Sequence, residues 1–267
     1  MIVEVKQLRE ALKKVGVAVA RRTSLPITNS VLLECKDNTL SIKATNLESA
    51  VIVTLSCSGE LPPICIPYRA FSKFVSEGDG QISLEPQGNR GLILSRPTIG
   101  KLTIGIEEGK EFPSLPMFKP KAVWNKLDSK EVGRLFSIVV SACAKEESRP
   151  VLTAVCCRDG EIASADGFRL YNAKSEKFNF GLGKGNGDNG ITYPINKLIT
   201  KATVLKFIQL FKNEEVEVSW EENQVFFKTK DCLLISQLVQ GTYPKYEQLI
   251  PNSFSSKSSF SVPLMIQ

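Results

Sequence analysis

Histidine is absent from this 267-residue chain. That removes the commonest general base, the commonest metal ligand and every Ser/His/Asp or Cys/His nucleophilic arrangement. No apolar run reaches the roughly 18 residues a membrane-crossing helix needs, and the opening MIVEVKQLRE lacks the basic and apolar regions of a secretion signal. A cytoplasmic protein without a membrane partner is expected. CxxC pairs are missing too: the cysteines, at 35, 57, 65, 143, 156, 157 and 232, are odd in number and scattered. That argues against a disulfide framework and a structural zinc site. Acidic residues fall singly or in runs such as Glu214, Glu215, Glu217, Glu221 and Glu222, which read as a solvated face and not as paired acid and base. These absences point away from an enzyme and from any cofactor or metal, and towards a binding protein.

What is present is enough apolar residue for a sizeable core, 42% of the chain, in a length that suits about two domains. The net charge of +6 is uneven: residues 1–127 hold 17 Lys and Arg against 12 Asp and Glu, residues 128–267 hold 17 against 16. A positive excess suits a polyanionic partner and also serves solubility.

The two halves repeat one another. Each opens with apolar residues at helical period, Leu8, Leu12, Val15 and Val19 in the first and Val132, Leu135, Phe136, Val139 and Cys143 in the second. Both segments predict helices, the second with Asp128 as N-cap and Glu131 three residues on. An X-Pro turn follows, at Leu25-Pro26-Ile27 and Arg149-Pro150-Val151. Short strands come next, at 31–35, 39–44 and 50–57 in one half and 152–157, 161–165 and 169–173 in the other. Asp159-Gly160 and Asp166-Gly167 mark turns. Proline-led helices are expected at Pro67 to about Glu77 and Pro194 to about Phe207. Further strands are expected at 81–85, 91–95 and 101–106, matched by 216–220, 224–229 and 232–238. From Pro26 to Pro150 is 124 positions and from Pro113 to Pro244 is 131; the Gly-rich stretch 181–190 reads as an insertion. The fold class is α+β: modules at 1–122 and 123–252, each with two helices packed on antiparallel sheet, and a remainder at 253–267.

Each predicted helix carries a basic pair at i, i+4: Arg9 with Lys13, Arg69 with Lys73, Lys130 with Arg134, and Lys197 with Lys201. Like charges at that spacing cost a helix a few tenths of a kcal/mol. Either they form a cationic surface for a phosphate backbone, or they are ordinary residues of solvent-facing helix surfaces.

One ordered set of motifs spans residues 1–251: Leu25-Pro26-Ile27, Ala44-Thr45-Asn46-Leu47-Glu48, Glu111-Phe112-Pro113, Ser148-Arg149-Pro150-Val151-Leu152, Ala165-Asp166-Gly167-Phe168-Arg169-Leu170, and Thr242-Tyr243-Pro244-Lys245-Tyr246 through Pro251. It resembles the bacterial DNA polymerase III beta subunit, the sliding clamp. The resemblance implies a DNA-clamp fold, a homodimeric ring of modules with helices lining a central hole, and a non-catalytic processivity factor that tethers polymerases to duplex DNA. It implies DNA contact at Arg22, with Arg21 as support. It also implies a groove for short peptide motifs of polymerases and clamp-loader subunits at Leu152, Ala165, Phe168, Arg169, Leu170, Pro244 and Leu249; without it, Leu152, Leu170 and Leu249 read as core.

The chain departs from the family where Phe168 replaces a common histidine, Ala165 a common threonine and Asn46 a usual aspartate. Residues 253–267 match only the opening of a third module. The sequence therefore also allows a shortened relative that binds clamp partners without encircling DNA, and predicts a monomer with Ser253–Ser259 poorly ordered. Gly181 to Gly187 has a phosphate-loop look but no Ser or Thr after its lysine. Cys156 and Cys157, adjacent in a predicted strand, face opposite ways as buried thiols, and Trp124 and Trp220 read as packing residues.

Overall fold

The structure is a computed structural model that describes residues 1–267 apart from 89, 117–121, 147, 177–179, 183, 187–191, 195, 252, 254 and 260–267. A short strand, β1 (Ile2–Glu4), runs straight into helix α1 (Val5–Val15). The helical period buries Val5, Leu8, Ala11, Leu12 and Val15 along one stripe of α1, as an amphipathic helix requires. After a 3-10 turn at Pro26–Asn29 come β2 (Ser30–Lys36), β3 (Thr39–Thr45), β4 (Ser49–Ser56) and β5 (Leu61–Pro67), in the antiparallel order β4-β3-β2-β5. Helix α2 (Tyr68–Phe74) follows. Then β6 (Gln81–Gln87), β7 (Gly91–Arg96) and β8 (Gly100–Gly105) join β1 in a second sheet, β1-β6-β7-β8, and β9 (Glu107–Glu108) pairs with β5.

The second half repeats this plan. It contains β10 (Asn125–Asp128), α3 (Ser129–Val139), β11 (Ala154–Arg158), β12 (Glu161–Ala165) and β13 (Leu170–Lys174). After these come β14 (Lys184–Asn186), β15 (Thr192–Pro194), β16 (Lys197–Thr200), α4 (Lys201–Leu210), β17 (Glu215–Trp220), β18 (Gln224–Lys228) and β19 (Cys232–Val239). Its orders β13-β12-β11-β16 and β10-β17-β18-β19 match the two sheets of the first half, with the β14–β15 hairpin added at the Gly-rich stretch. Asp128 caps α3 as expected, accepting a hydrogen bond from the Glu131 amide at 3.0 Å.

The repeats are joined by an antiparallel ladder between β19 and β4, from Cys232 opposite Val53 to Ser236 opposite Ser49. One apolar core continues across that junction and takes the buried stripes of α1, α3 and α4. At its centre in the second repeat, the Phe207 ring lies 5.4 Å from Phe136, 5.3 Å from Phe211 and 5.0 Å from Phe227. Cys156 and Cys157 face opposite sides of β11, one towards a small outer cluster and the other into the main core. Burial pushes the Cys156 thiol up to about 12. Among the described residues no helix is long and apolar enough to cross a membrane.

Two helix expectations are corrected, and one cysteine pair lies closer than its spacing suggested. The helix expected from Pro194 begins at Lys201: Pro194 ends β15, and residues 197–200 are strand because they pair with both β11 and β19. Thr200 then caps α4, accepting from the Thr203 amide at 3.1 Å. Pro67 is the N-cap of α2, one position before the helix, and α2 ends at Phe74. The cysteine pair is Cys35 and Cys57, whose sulfurs lie side by side with 7.6 Å between the Cα atoms, wider than a disulfide usually spans. Both lie at the Asp37-Asn38 end of β2–β3–β4, where the Cys57 amide donates to the Asn38 carbonyl at 2.9 Å, so the tertiary pairing of three strands brings together residues that spacing alone had left unpaired. β5 went unread because Pro62, Pro63 and Pro67 argue against a strand. Of residues 253–267, those described are exposed and belong to no helix or strand; the rest, like part of the Gly181–Gly187 stretch, lie outside the described residues.

Candidate nucleic-acid face and peptide groove

α1 ends in a 3-10 turn, and the exposed segment beyond it carries Arg21 and Arg22. These two arginines line an open groove of about 1220 Å³ together with Lys13, Tyr68 of α2, and Ala202, Leu205, Lys206 and Gln209 of α4. The groove crosses from the first repeat to the second, so the helices of both contribute to one cationic surface. Glu48 is the acidic residue on its wall.

The ten basic candidates divide by what else they hold. Arg69, Lys73 and Lys130 are exposed and meet no carboxylate among the described residues, like Arg21 and Arg22. Lys13 pairs with Glu10 at 3.0 Å, and Arg134 forks onto Glu131 with both contacts at 3.1 Å; exposed i, i+3 pairs of this kind contribute little to stability. Arg9 is committed elsewhere. Its Nε donates to the Val75 carbonyl at 2.9 Å and its Nη2 to that of Gly78, closing the chain that leaves α2. Lys197 and Lys201 do not form a helical pair, since Lys197 lies in β16 and donates to the Glu221 and Glu222 carbonyls at 3.3 and 3.0 Å. Lys201 opens α4, half-buried.

Lys206 was not singled out from the sequence. Its ammonium group donates to the Ser49 hydroxyl across the junction. Burial lowers its pKa, against an opposing pull from Glu48. The i, i+4 spacing of Lys197 and Lys201 continues to Leu205 and passes it by, and its partner lies 157 residues away.

The groove candidates all belong to the second repeat. Leu152 is buried and Leu170 half-buried, in one cluster with Ala154, Ala163, Leu198, Tyr243 and Tyr246. Ala165 stands opposite Leu170 in the β12–β13 ladder. Between those strands Asp166 organises the turn: its carboxylate accepts the Phe168 amide at 3.0 Å, the Arg169 amide at 2.9 Å and Arg169 Nη2 at 2.7 Å. The Arg169 side chain, then the two amides, hold the Asp166 carboxyl down at about 2. Gly167, at φ +93°, supplies the left-handed backbone that this turn needs. Phe168 is thereby left 98% exposed.

A cavity of about 620 Å³ is lined by Ala144, Lys145, Arg149, Leu152, Asp166, Phe168 and Arg169, among others. Pro244 is exposed between Tyr243 and Tyr246, and Leu249, at the end of the 3-10 turn Tyr246–Leu249, is 73% exposed. The structure thus brings Leu152, Phe168 and Arg169 to one cavity and Leu170 to the adjoining apolar cluster, with the exposed Pro244 flanked by two tyrosines of that cluster. Tyr243 and Tyr246 went unremarked as groove residues because aromatic residues beside proline read equally well as packing.

Residues 1–116 match the model of the DNA polymerase III beta subunit, N-terminal domain. The chain is 24% identical over 273 residues to the beta sliding clamp of Rickettsia felis, covering 96% of this chain and 68% of that protein. Among solved structures, the DNA polymerase III subunit beta of Pseudomonas aeruginosa superposes with a TM-score of 0.82 at 20% identity, over 95% of this chain and 68% of that one. A sliding clamp of the same organism bound to griselimycin gives 0.80 at 19% identity, over 96% and 68%.

Proposed function

We propose that this chain, similar along its length to bacterial beta sliding clamps and over residues 1–116 to the N-terminal domain of the DNA polymerase III beta subunit, works as a DNA-associated scaffold with two binding surfaces and no chemistry of its own. Duplex DNA is taken by the groove of Arg21, Arg22 and Lys206, with Arg69, Lys73 and Lys130 on neighbouring helix surfaces. Contacts of this kind go to phosphates, so binding is independent of base sequence and weakens steeply with salt. Polymerase and clamp-loader peptides are taken by the surface of Leu152, Ala165, Phe168, Arg169, Leu170, Pro244 and Leu249, an apolar floor with a fixed cationic rim that suits an extended apolar segment.

The observation that carries the reading is the continuity of the β4–β19 ladder and the core beneath it, which sets the helices of both repeats beside one basic groove. The test is fluorescence anisotropy with a labelled duplex and, separately, with a labelled clamp-binding peptide from a bacterial replicative polymerase, competed by griselimycin. Salt-sensitive duplex binding together with competed peptide binding supports the proposal. Peptide binding without duplex binding at low salt favours the relative that occupies clamp partners off DNA, and failure to bind either defeats both readings.

A further inference from the structure

At the turn end of the β11–β12 hairpin, away from Leu152 and Ala165 at its other end, the second repeat buries an ion cluster that the matching turn of the first repeat lacks. Arg158 and Glu161 flank the Asp159-Gly160 turn between β11 and β12 and are 9% and 8% exposed. At the matching places beside the Asp37-Asn38 turn stand Lys36 and Thr39, both exposed. The Glu161 carboxylate accepts from Arg158 Nε at 2.8 Å, from the Tyr246 hydroxyl at 3.1 Å and from the Asn172 side-chain amide. Arg158 Nη1 donates to Glu247 at 2.6 Å, and the guanidinium carbon lies 5.3 Å from the centre of the Tyr246 ring.

A buried charge cluster generally stabilises a fold no better than apolar packing of the same volume, and the first repeat forms the same hairpin without one. The cluster's distinctive effect is geometric. It ties the β11–β12 hairpin, whose Ala154, Cys156 and Ala163 pack in the cluster of Leu152 and Leu170, to the turn Tyr246–Leu249, which begins two residues after Pro244 and ends at Leu249. We propose that Arg158 and Glu161 are positioning residues for the peptide groove: through Tyr246 and Glu247 they hold that turn so that Pro244 and Leu249 form a preset wall beside Leu152 and Leu170. The inference rests on the groove reading given above. A wall held in place before binding spares the peptide the cost of ordering it.

The test uses the full chain and the labelled polymerase peptide, with Glu247→Gln, Tyr246→Phe and Leu170→Ala. Glu247→Gln keeps its shape, and its side chain is 47% exposed, so it reduces the charged tie to a neutral, weaker hydrogen bond with little risk to folding if Tyr246→Phe proves unstable. Peptide affinity is expected to fall by roughly three- to tenfold in Glu247→Gln and Tyr246→Phe, the scale of one freed loop segment. The methyl resonances of Leu249 should shift, the thermal midpoint of Glu247→Gln should stay near that of the wild type, and Glu247→Asp should restore part of the affinity. Unchanged affinity in Glu247→Gln and Tyr246→Phe, with Leu170→Ala weakened, overturns the positioning role and leaves the groove standing. Unchanged affinity in all three removes the groove and this inference with it.

Discussion

The Lys14 ammonium on α1 stands 3.4 Å from the Asp231 carboxylate and 3.4 Å from that of Glu214, so a side chain of the first repeat is held between two acids of the second. The contact sits beside the β4–β19 ladder, where the Thr54 amide also donates to the Asp231 carbonyl at 2.9 Å. Burial pulls the Lys14 pKa down, but Asp231 and Glu214 together outweigh it and raise the pKa above 10.5.

That direction sets a pH window for the junction. A lysine whose folded pKa exceeds its unfolded one stabilises fully below the unfolded value and loses its contribution as pH climbs through the folded one. Lys14→Met should therefore cost up to about 1 kcal/mol, the scale of a partly exposed pair. Urea unfolding of both proteins should show a constant gap near neutral pH that narrows above pH 10.5. A gap that stays constant through that range would mean the two carboxylates do not act on Lys14.

Arg9 and Arg22 should separate stability from DNA binding. Arg9→Ala removes charged donors from the Val75 and Gly78 carbonyls and should lower stability by about 1–2 kcal/mol, with duplex affinity little changed. The double variant Arg22→Glu with Lys73→Glu should unfold as the wild type does, yet lose low-salt duplex binding and flatten its salt dependence by about one unit of log-log slope per lost phosphate contact. Anisotropy titrations at several salt concentrations decide it; wild-type binding by the double variant would remove both residues from the DNA face.

Phe168 and Leu170 should behave differently in the groove. Phe168 is 98% exposed, so Phe168→Ala should change stability by no more than about 0.5 kcal/mol while weakening the polymerase peptide. Leu170, half-buried in the Leu152–Tyr243 cluster, should lose both stability and affinity when cut to alanine. Calorimetry finding wild-type affinity in both variants would exclude this surface as the peptide site.

Phe207 touches three other rings at the centre of the second repeat's core. Phe207→Ala should cost about 3–5 kcal/mol by the cavity it leaves, measured by chemical unfolding, whereas Phe207→Leu should cost markedly less. Equal losses would show that ring contacts, and not volume, govern the site.

The sequence by itself determined the repeat, the α+β class, α1 and α3, the Asp128 cap and most strands. Each of these rests on a local signal: helical period in Leu8, Leu12 and Val15, the Asp-Gly turns at 159–160 and 166–167 on either side of 161–165, a capping side chain three residues from its amide. The opposed facing of Cys156 and Cys157 was legible for the same reason, since it follows from strand geometry alone. The tertiary structure alone decided the start of α4, because 197–200 became strand only by pairing with β11 and β19, and it decided what each cation does. Charge in a sequence does not name its partner: Arg9 finds carbonyls 66 and 69 residues away and Lys14 finds acids 200 and 217 residues away. Neither did apolar character separate Leu152, on the floor of a cavity, from the leucines of the main core. That distinction depends on which side of a folded sheet is covered, and it exists only once the strands have paired.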